Sequence, residues 1–186
     1  MDILKRIVAR RPAVWRSLAA ALLMLLASAG PAAAELRAGA AKVDITPDVQ
    51  ARKVPLGGYA ARRAAPATGV HDPVFARALV LSEGAVKAGI VSVDLCFVPS
   101  SLTAEVVRRV QATGVTGLDA GHLLLAATHA HTAPDPLAMH RGNTFTYAGW
   151  TRFDPALLAF TAERVAQAIV QADRRQAPAQ AGWATQ

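Results

Sequence analysis

Two histidines stand two residues apart in the segment Ala127-Thr128-His129-Ala130-His131-Thr132-Ala133-Pro134-Asp135. Residues two apart in an extended chain point to the same side, so His129 and His131 are expected to project together. Neutral imidazole is a common zinc ligand, and two on one side make half of a metal site. The same spacing also suits a pair of surface or hydrogen-bonded histidines. Position favours the metal reading. The pair follows the apolar run at 122–127 and so lies at the carboxyl end of a predicted buried strand, where open α/β sheets place their ligands. Asp94 ends the neighbouring apolar run at 88–93 and is expected at the same edge, either in a catalytic or metal-supporting role or as a carboxylate accepting loop amides.

The other chemically capable residues fit less directly. His122 begins its strand and belongs to the opposite end, and His140 falls in the loop after the motif. His71-Asp72 either positions a substrate or forms a turn before Pro73, and Gly57-Gly58-Tyr59 reads as a glycine-rich turn with a packed tyrosine or as a cleft lining. Cys96 is the chain's one cysteine, which excludes an internal disulfide. It sits in the apolar stretch 93–98, with no sequence neighbour to lower a thiol pKa, and a small core residue is expected there. Arg77, inside a strand, calls for a carboxylate partner, Asp44 or Asp94.

These residues need a sheet to hold them. Residues 36–45 alternate weakly and stop at Thr46-Pro47, predicting a first strand. A loop rich in Gly, Pro, Ala and Arg follows at 50–69. The apolar runs 75–81 and 86–93, separated by Ser82, Glu83, Gly84 and Ala85, predict a β-hairpin. Pro99 and Ser100-Ser101 supply helix-start chemistry, and Leu102, Val106 and Val110 recur at helical spacing up to Gly114. Strand, helix and the strand at 122–127 then form a βαβ unit, with its strands parallel, not necessarily adjacent, and joined by a right-handed crossover. After a polar loop at 132–152, Asp154 caps a helix with Pro155 at its first position. Leu158, Ala162, Val165, Ile169 and Ala172 mark its apolar face, and Arg174-Arg175 suit its C-terminal dipole. The expected fold is α/β, a mixed sheet with a βαβ unit and flanking helices, incomplete at its C-terminus, where residues beyond Pro178 lead toward a further strand.

Residues 1–34 form a separate unit of sequence. Lys5, Arg6, Arg10, Arg11 and Arg16 precede an uncharged run at 17–30, and Ala32-Ala33-Ala34 stand before Glu35, the pattern of a secretory signal peptide. The run is shorter than the roughly 20 residues that span a bilayer, so cleavage after Ala34 is expected and no transmembrane segment remains after it. Residues 35–186 then form one domain, exported to the periplasm or beyond. Of the 20 basic and 13 acidic residues, 15 and 12 remain after cleavage, so the net charge falls from +7 to +3. Without a basic stripe, and with few aromatic residues to stack on bases, nucleic-acid binding is not expected.

Taken in order, the motifs resemble the N-terminal part of the neutral (non-lysosomal) ceramidase family. Its Thr-His-Thr-His-Ser-Gly-Pro segment is matched by Thr128 to Pro134, and its Val-Ser-x-Asp segment by Val91-Ser92-Val93-Asp94. The stretches 39–46, Gly57-Gly58-Tyr59 and 69–81 with Arg77 are also similar. Ala130 and Thr132 replace Thr and Ser of that pattern, while Ala133 and Asp135 stand where glycines are usual. The resemblance implies that His129 ligates Zn2+ and that His131 lies beside the metal near the substrate amide, with Asp94 assisting. It also implies hydrolysis of a ceramide or other N-acyl amide to a fatty acid and an amine, and further ligands, a His, a Glu and a Tyr, outside these 186 residues. Two other readings compete: a different secreted metallohydrolase, and a non-catalytic truncated binding module. Oligomeric state leaves no mark on the sequence.

Overall fold

The computed structural model describes residues 34–144 and 150–184. The signal-peptide expectation therefore lies almost wholly outside the described residues. The compact unit runs from Glu35 to Gln186. Its elements are β1 (Leu36–Asp44), β2 (Phe75–Glu83), β3 (Val86–Val93), α1 (Ser100–Ala112), β4 (Leu123–Ala127), α2 (Pro155–Arg174) and β5 (Ala177–Pro178), with 3-10 turns at Ala60–Arg62 and Pro136–Met139.

The five strands form one sheet in the order β4-β3-β2-β1-β5. The β3–β4 pair is parallel and the other pairs are antiparallel, giving the expected mixed sheet, with the two βαβ strands adjacent. Register explains the burial. Val43 pairs with Ala76, Ala76 with Val93 and Val93 with Ala127, and the next row on that face joins Ala41, Ala78, Val91 and Leu125. Period-two alternation thus lays the apolar residues of four strands in rows on one face, against which the helices pack. Leu102, Val106 and Val110 of α1 and Leu158, Ala162, Val165 and Ile169 of α2 are fully buried in the same core, each large aliphatic contributing about 1.5–3 kcal/mol. Gly39 lets the end of α2 approach β1: a Cβ there would lie 2.0 Å from the Ala172 carbonyl oxygen.

Local chemistry sets the helix ends. The Asp154 carboxylate accepts the amides of Ala156 and Leu157, with Pro155 at the first helical position, as read from the sequence. In α1 the capping position is Pro99, with no side-chain cap. Ser101 is turned elsewhere, donating to the Met139 carbonyl and accepting the Arg141 amide, so it ties the loop after the histidine motif to the helix. β5 is a two-residue strand against Arg37 and Ala38. Among the described residues no helix is long and apolar enough to cross a membrane.

Candidate metal centre

The carboxyl ends of β3 and β4 lie side by side, and the chain leaving each of them contributes to one small cluster. Beyond β4, the Thr128 amide still bonds to the Val93 carbonyl and the Ala130 amide to the Leu95 carbonyl, so the motif remains fixed to the segment after β3. Between these anchors His129 adopts φ 63°, in the left-handed region. For a residue with a Cβ this conformation costs about 1–2 kcal/mol, and such strain collects at functional sites. It also changes how the histidines meet. They do not lie on one side of an extended strand, as alternation predicted. His129 leaves the extended conformation at this left-handed turn, and the two Nε2 atoms stand 3.2 Å apart.

The His129 ring has a defined orientation. Its Nδ1 lies 2.8 Å from the Cys96 carbonyl oxygen, which only accepts, so Nδ1 carries the proton and Nε2 presents its lone pair to the cluster. Metal-binding histidines are characteristically held through the second nitrogen in this way. The Cys96 Sγ is 3.6 Å from His131 Nε2. Cys96, His129 and His131 therefore place three donor atoms within 4.8 Å of one another, a set able to hold a metal ion. Cys96 is partly buried and is not simply a small core residue as expected. A sequence cue existed: it lies two residues beyond Asp94 at the carboxyl end of β3, the edge already assigned to the site.

A third segment closes the site. The Gly57 amide donates to the Ala133 carbonyl, the Asp135 amide to the Pro55 carbonyl, and Leu56 bridges to Pro134, joining residues 55–57 to 133–135. This brings Gly58 and Tyr59 onto His131. Tyr59 meets the imidazole edge to face at 5.7 Å. Gly58 has φ +76°, and a Cβ on it would lie 2.3 Å from His131 Nδ1, so the ring occupies space that only glycine leaves open. Gly57-Gly58-Tyr59 is thus a wall of the site. Buried Asp135 secures the other side, accepting the Leu137 amide and the Thr151 hydroxyl. A cleft of about 520 Å³ opens beside Cys96, bordered by Tyr59, Phe97 and Trp150, all of them substantially exposed.

Asp94 reaches the same sheet edge but is not among the three clustered donors. Both its oxygens lie 2.9 Å from an Arg77 nitrogen, and Oδ2 also accepts the Phe75 amide. Arg77 thereby finds one of its two expected partners, and Asp94 pins the start of β2 to the end of β3. His122 pairs with Asp119 and His71 with Asp72, both at the surface, and His140 ends the 3-10 turn; none of them joins the cluster.

Residues 36–186 match the family of neutral/alkaline non-lysosomal ceramidases, N-terminal part. This chain belongs to that family. Neutral ceramidase of Drosophila pseudoobscura pseudoobscura is 33% identical over 122 residues, which are 64% of this chain and 17% of that protein. The crystal structure of neutral ceramidase from Pseudomonas aeruginosa superposes with a TM-score of 0.64 at 25% identity, covering 78% of this chain and 22% of that one. A ceramidase structure complexed with C2 matches to the same extent. The mixed α/β fold is thus that of the neutral ceramidases, and the chain spans about a fifth of the length of these relatives.

Proposed function

We propose that this chain provides the N-terminal part of an exported, zinc-dependent hydrolase of N-acyl amides, of which ceramide is the prototype. The observation that carries the reading is the meeting of His129 and His131, with the His129 tautomer fixed by the Cys96 carbonyl, at the ligand-binding edge of a ceramidase-family sheet. When bound, a zinc ion supplies Lewis acidity toward an amide carbonyl and toward water. His129 offers Nε2 as the ligand. His131, beside it, orients or stabilises the reacting amide. Asp94 serves as a positioning residue, holding β2 against the strand end from which Cys96 departs. The aromatic border of the adjoining cleft suits an acyl or sphingoid chain. Export is supported by the leader pattern and by a compact unit that begins at Glu35, the residue cleavage would leave first.

Zinc content and hydrolysis of a fluorescent N-acyl amide, measured on the same samples, test this function. His129→Ala is expected to lose bound zinc and hydrolysis together. His131→Ala is expected to lower turnover by roughly 10²-fold or more. Unchanged zinc in the His129 variant would refute the assignment. Terminal sequencing of exported protein should begin at Glu35, and material retaining Leu22 to Leu26 would refute cleavage.

A further inference from the structure

We infer that Arg63 sets substrate specificity: its guanidinium binds a carboxylate on the amine part of the substrate, which makes N-acyl amino acids the preferred amides. The inference rests on the hydrolase reading above and names the class of amide. It starts from the wall of the cleft beside Cys96, to which Arg63 and Ala64 contribute together with Tyr59, Phe97 and Trp150. Among the described residues lining this cleft of about 520 Å³, Arg63 is the one cation and Asp135 the one carboxylate. Asp135 is buried, and its oxygens already accept the Leu137 amide and the Thr151 hydroxyl. Arg63 is exposed, and its guanidinium has no acceptor among the described residues.

The backbone supports a role for this side chain. Arg63 and Ala64 have φ 49° and 57°, two successive residues with a Cβ in the left-handed region. Such conformations are unfavourable outside glycine and persist where the surroundings fix them, chiefly at functional sites. Here both ends of the segment are fixed. Tyr59 packs on His131, Pro66 bridges to Pro55, and the Ala67 amide donates to the Val54 carbonyl. Within the turn the two adjacent arginines divide the work. Arg62 donates to the Ala65 and Pro66 carbonyls and closes the turn, whereas Arg63 is left for a ligand.

A guanidinium presents a planar fork of donors that fits a carboxylate with two parallel bonds. The fatty-acid carboxylate does not supply that anion in the substrate, because it forms only when the amide is cleaved. With the acyl chain on the aromatic border, the anion lies on the nitrogen side, as in an N-acyl glycine. In the reaction the water oxygen bonds to the acyl carbon and the carbon–nitrogen bond breaks. The departing nitrogen takes both protons of the water, giving a fatty-acid carboxylate and the ammonium group of an amino acid.

The full 186-residue chain would be titrated, without added metal, with N-dodecanoylglycine, the neutral N-dodecanoylethanolamine and dodecanoate, below their micellar range, by calorimetry and tryptophan emission. The glycine conjugate should bind about tenfold or more tighter than the ethanolamide, as a charge-assisted pair of bonds provides, and salt should narrow the gap. Arg63→Gln and Arg63→Gly should both abolish the preference and keep the ethanolamide affinity and the Zn2+ affinity of the parent. Glycine fits the left-handed backbone, so the second variant keeps the turn even where glutamine loosens it. A parent without the preference, or a preference that survives in both variants, would overturn the role of Arg63 and leave the metal reading intact. Dodecanoate bound as tightly as the glycine conjugate, with the same loss in the variants, would assign Arg63 to the fatty-acid product and overturn the inference as well. A parent that binds Zn2+ but none of the three ligands would overturn the cleft as the acyl site and this inference with it. A parent that binds the glycine conjugate through Arg63 but no Zn2+ would uphold the inference and overturn the metal reading alone.

Discussion

Gly58 offers a direct test of how the site is built, because the fold supplies its own control. Gly58 and Gly114 have nearly the same left-handed backbone, φ +76° and +78°, but a Cβ on Gly114 would meet nothing within 4 Å. Alanine at either position incurs the left-handed penalty of about 1–2 kcal/mol. At Gly58 the new methyl would also lie 2.3 Å from Nδ1 and 2.4 Å from Cε1 of His131, whereas ordinary contact begins at 3.4 Å, so the ring must retreat by about 1 Å. That ring is confined by Tyr59, His129 and Cys96, and overpacking of this kind adds about 1–3 kcal/mol. At about 2–4 °C per kcal/mol for a chain of this size, Gly114→Ala should lower the melting temperature by about 2–8 °C and Gly58→Ala by about 4–20 °C. The sharper difference is at the metal. A metal site needs its donors placed to about 0.2 Å, so a displacement of this size should weaken Zn2+ binding by about tenfold or more in Gly58→Ala and leave Gly114→Ala at the parent affinity. Thermal melts, competitive zinc titration and the His131 ring resonances would be compared in the two variants. Equal melting temperatures and equal zinc affinities would refute the claim that Gly58 seats His131.

Gly39→Ala should be among the most destabilising single changes, at about 3 kcal/mol or more, because the atoms its Cβ meets are backbone atoms of Ala172, Arg175 and Gln176, which cannot rotate away. An unaltered urea midpoint would show that α2 is not fixed against β1 as described. Acid should act partly through Glu105, whose pKa is lowered to about 2, chiefly by the bond from Arg108 with Arg109 adding and burial opposing. A depressed folded pKa stabilises above the ordinary value of 4.5, and that contribution is lost as pH falls from 4.5 through about 2. The stability gap between the parent and Glu105→Gln should therefore close over that interval. A gap as wide at pH 2 as at neutrality would refute the assignment.

Features set by neighbours in sequence were legible in the chain itself. Asp154 and Pro155 announce the start of α2 because a cap and its amides lie within three residues. The hairpin of β2 and β3 follows from two apolar runs around a glycine-containing turn, although pairing runs on through Ser82 and Glu83 and leaves only Gly84-Ala85 as the loop, and the parallel pairing of β3 and β4 follows from the handed crossover that a helix of this length permits. The residue types and edge position of the histidine pair, and the need of Arg77 for a carboxylate, were also local inferences.

The geometry of the centre was not. Alternation places His129 and His131 on one side of a strand, yet their nitrogens meet because His129 leaves the strand for a left-handed turn held by backbone bonds to Val93 and Leu95. Cys96 looked like core from its apolar neighbours; its place two residues beyond Asp94 puts it at the site's edge but does not show that a histidine 35 residues later will lie 3.6 Å from its sulfur. Gly58 looked like a turn residue until the pairing of 55–57 with 133–135 set it against His131. Sequence alone determined which elements form and at which edge of the sheet the histidine pair stands, because propensity, capping and periodicity act over a few residues. Tertiary structure decided which donors converge and how each ring is turned, because those depend on contacts between segments far apart in the chain, which form only when the sheet and its loops have closed together.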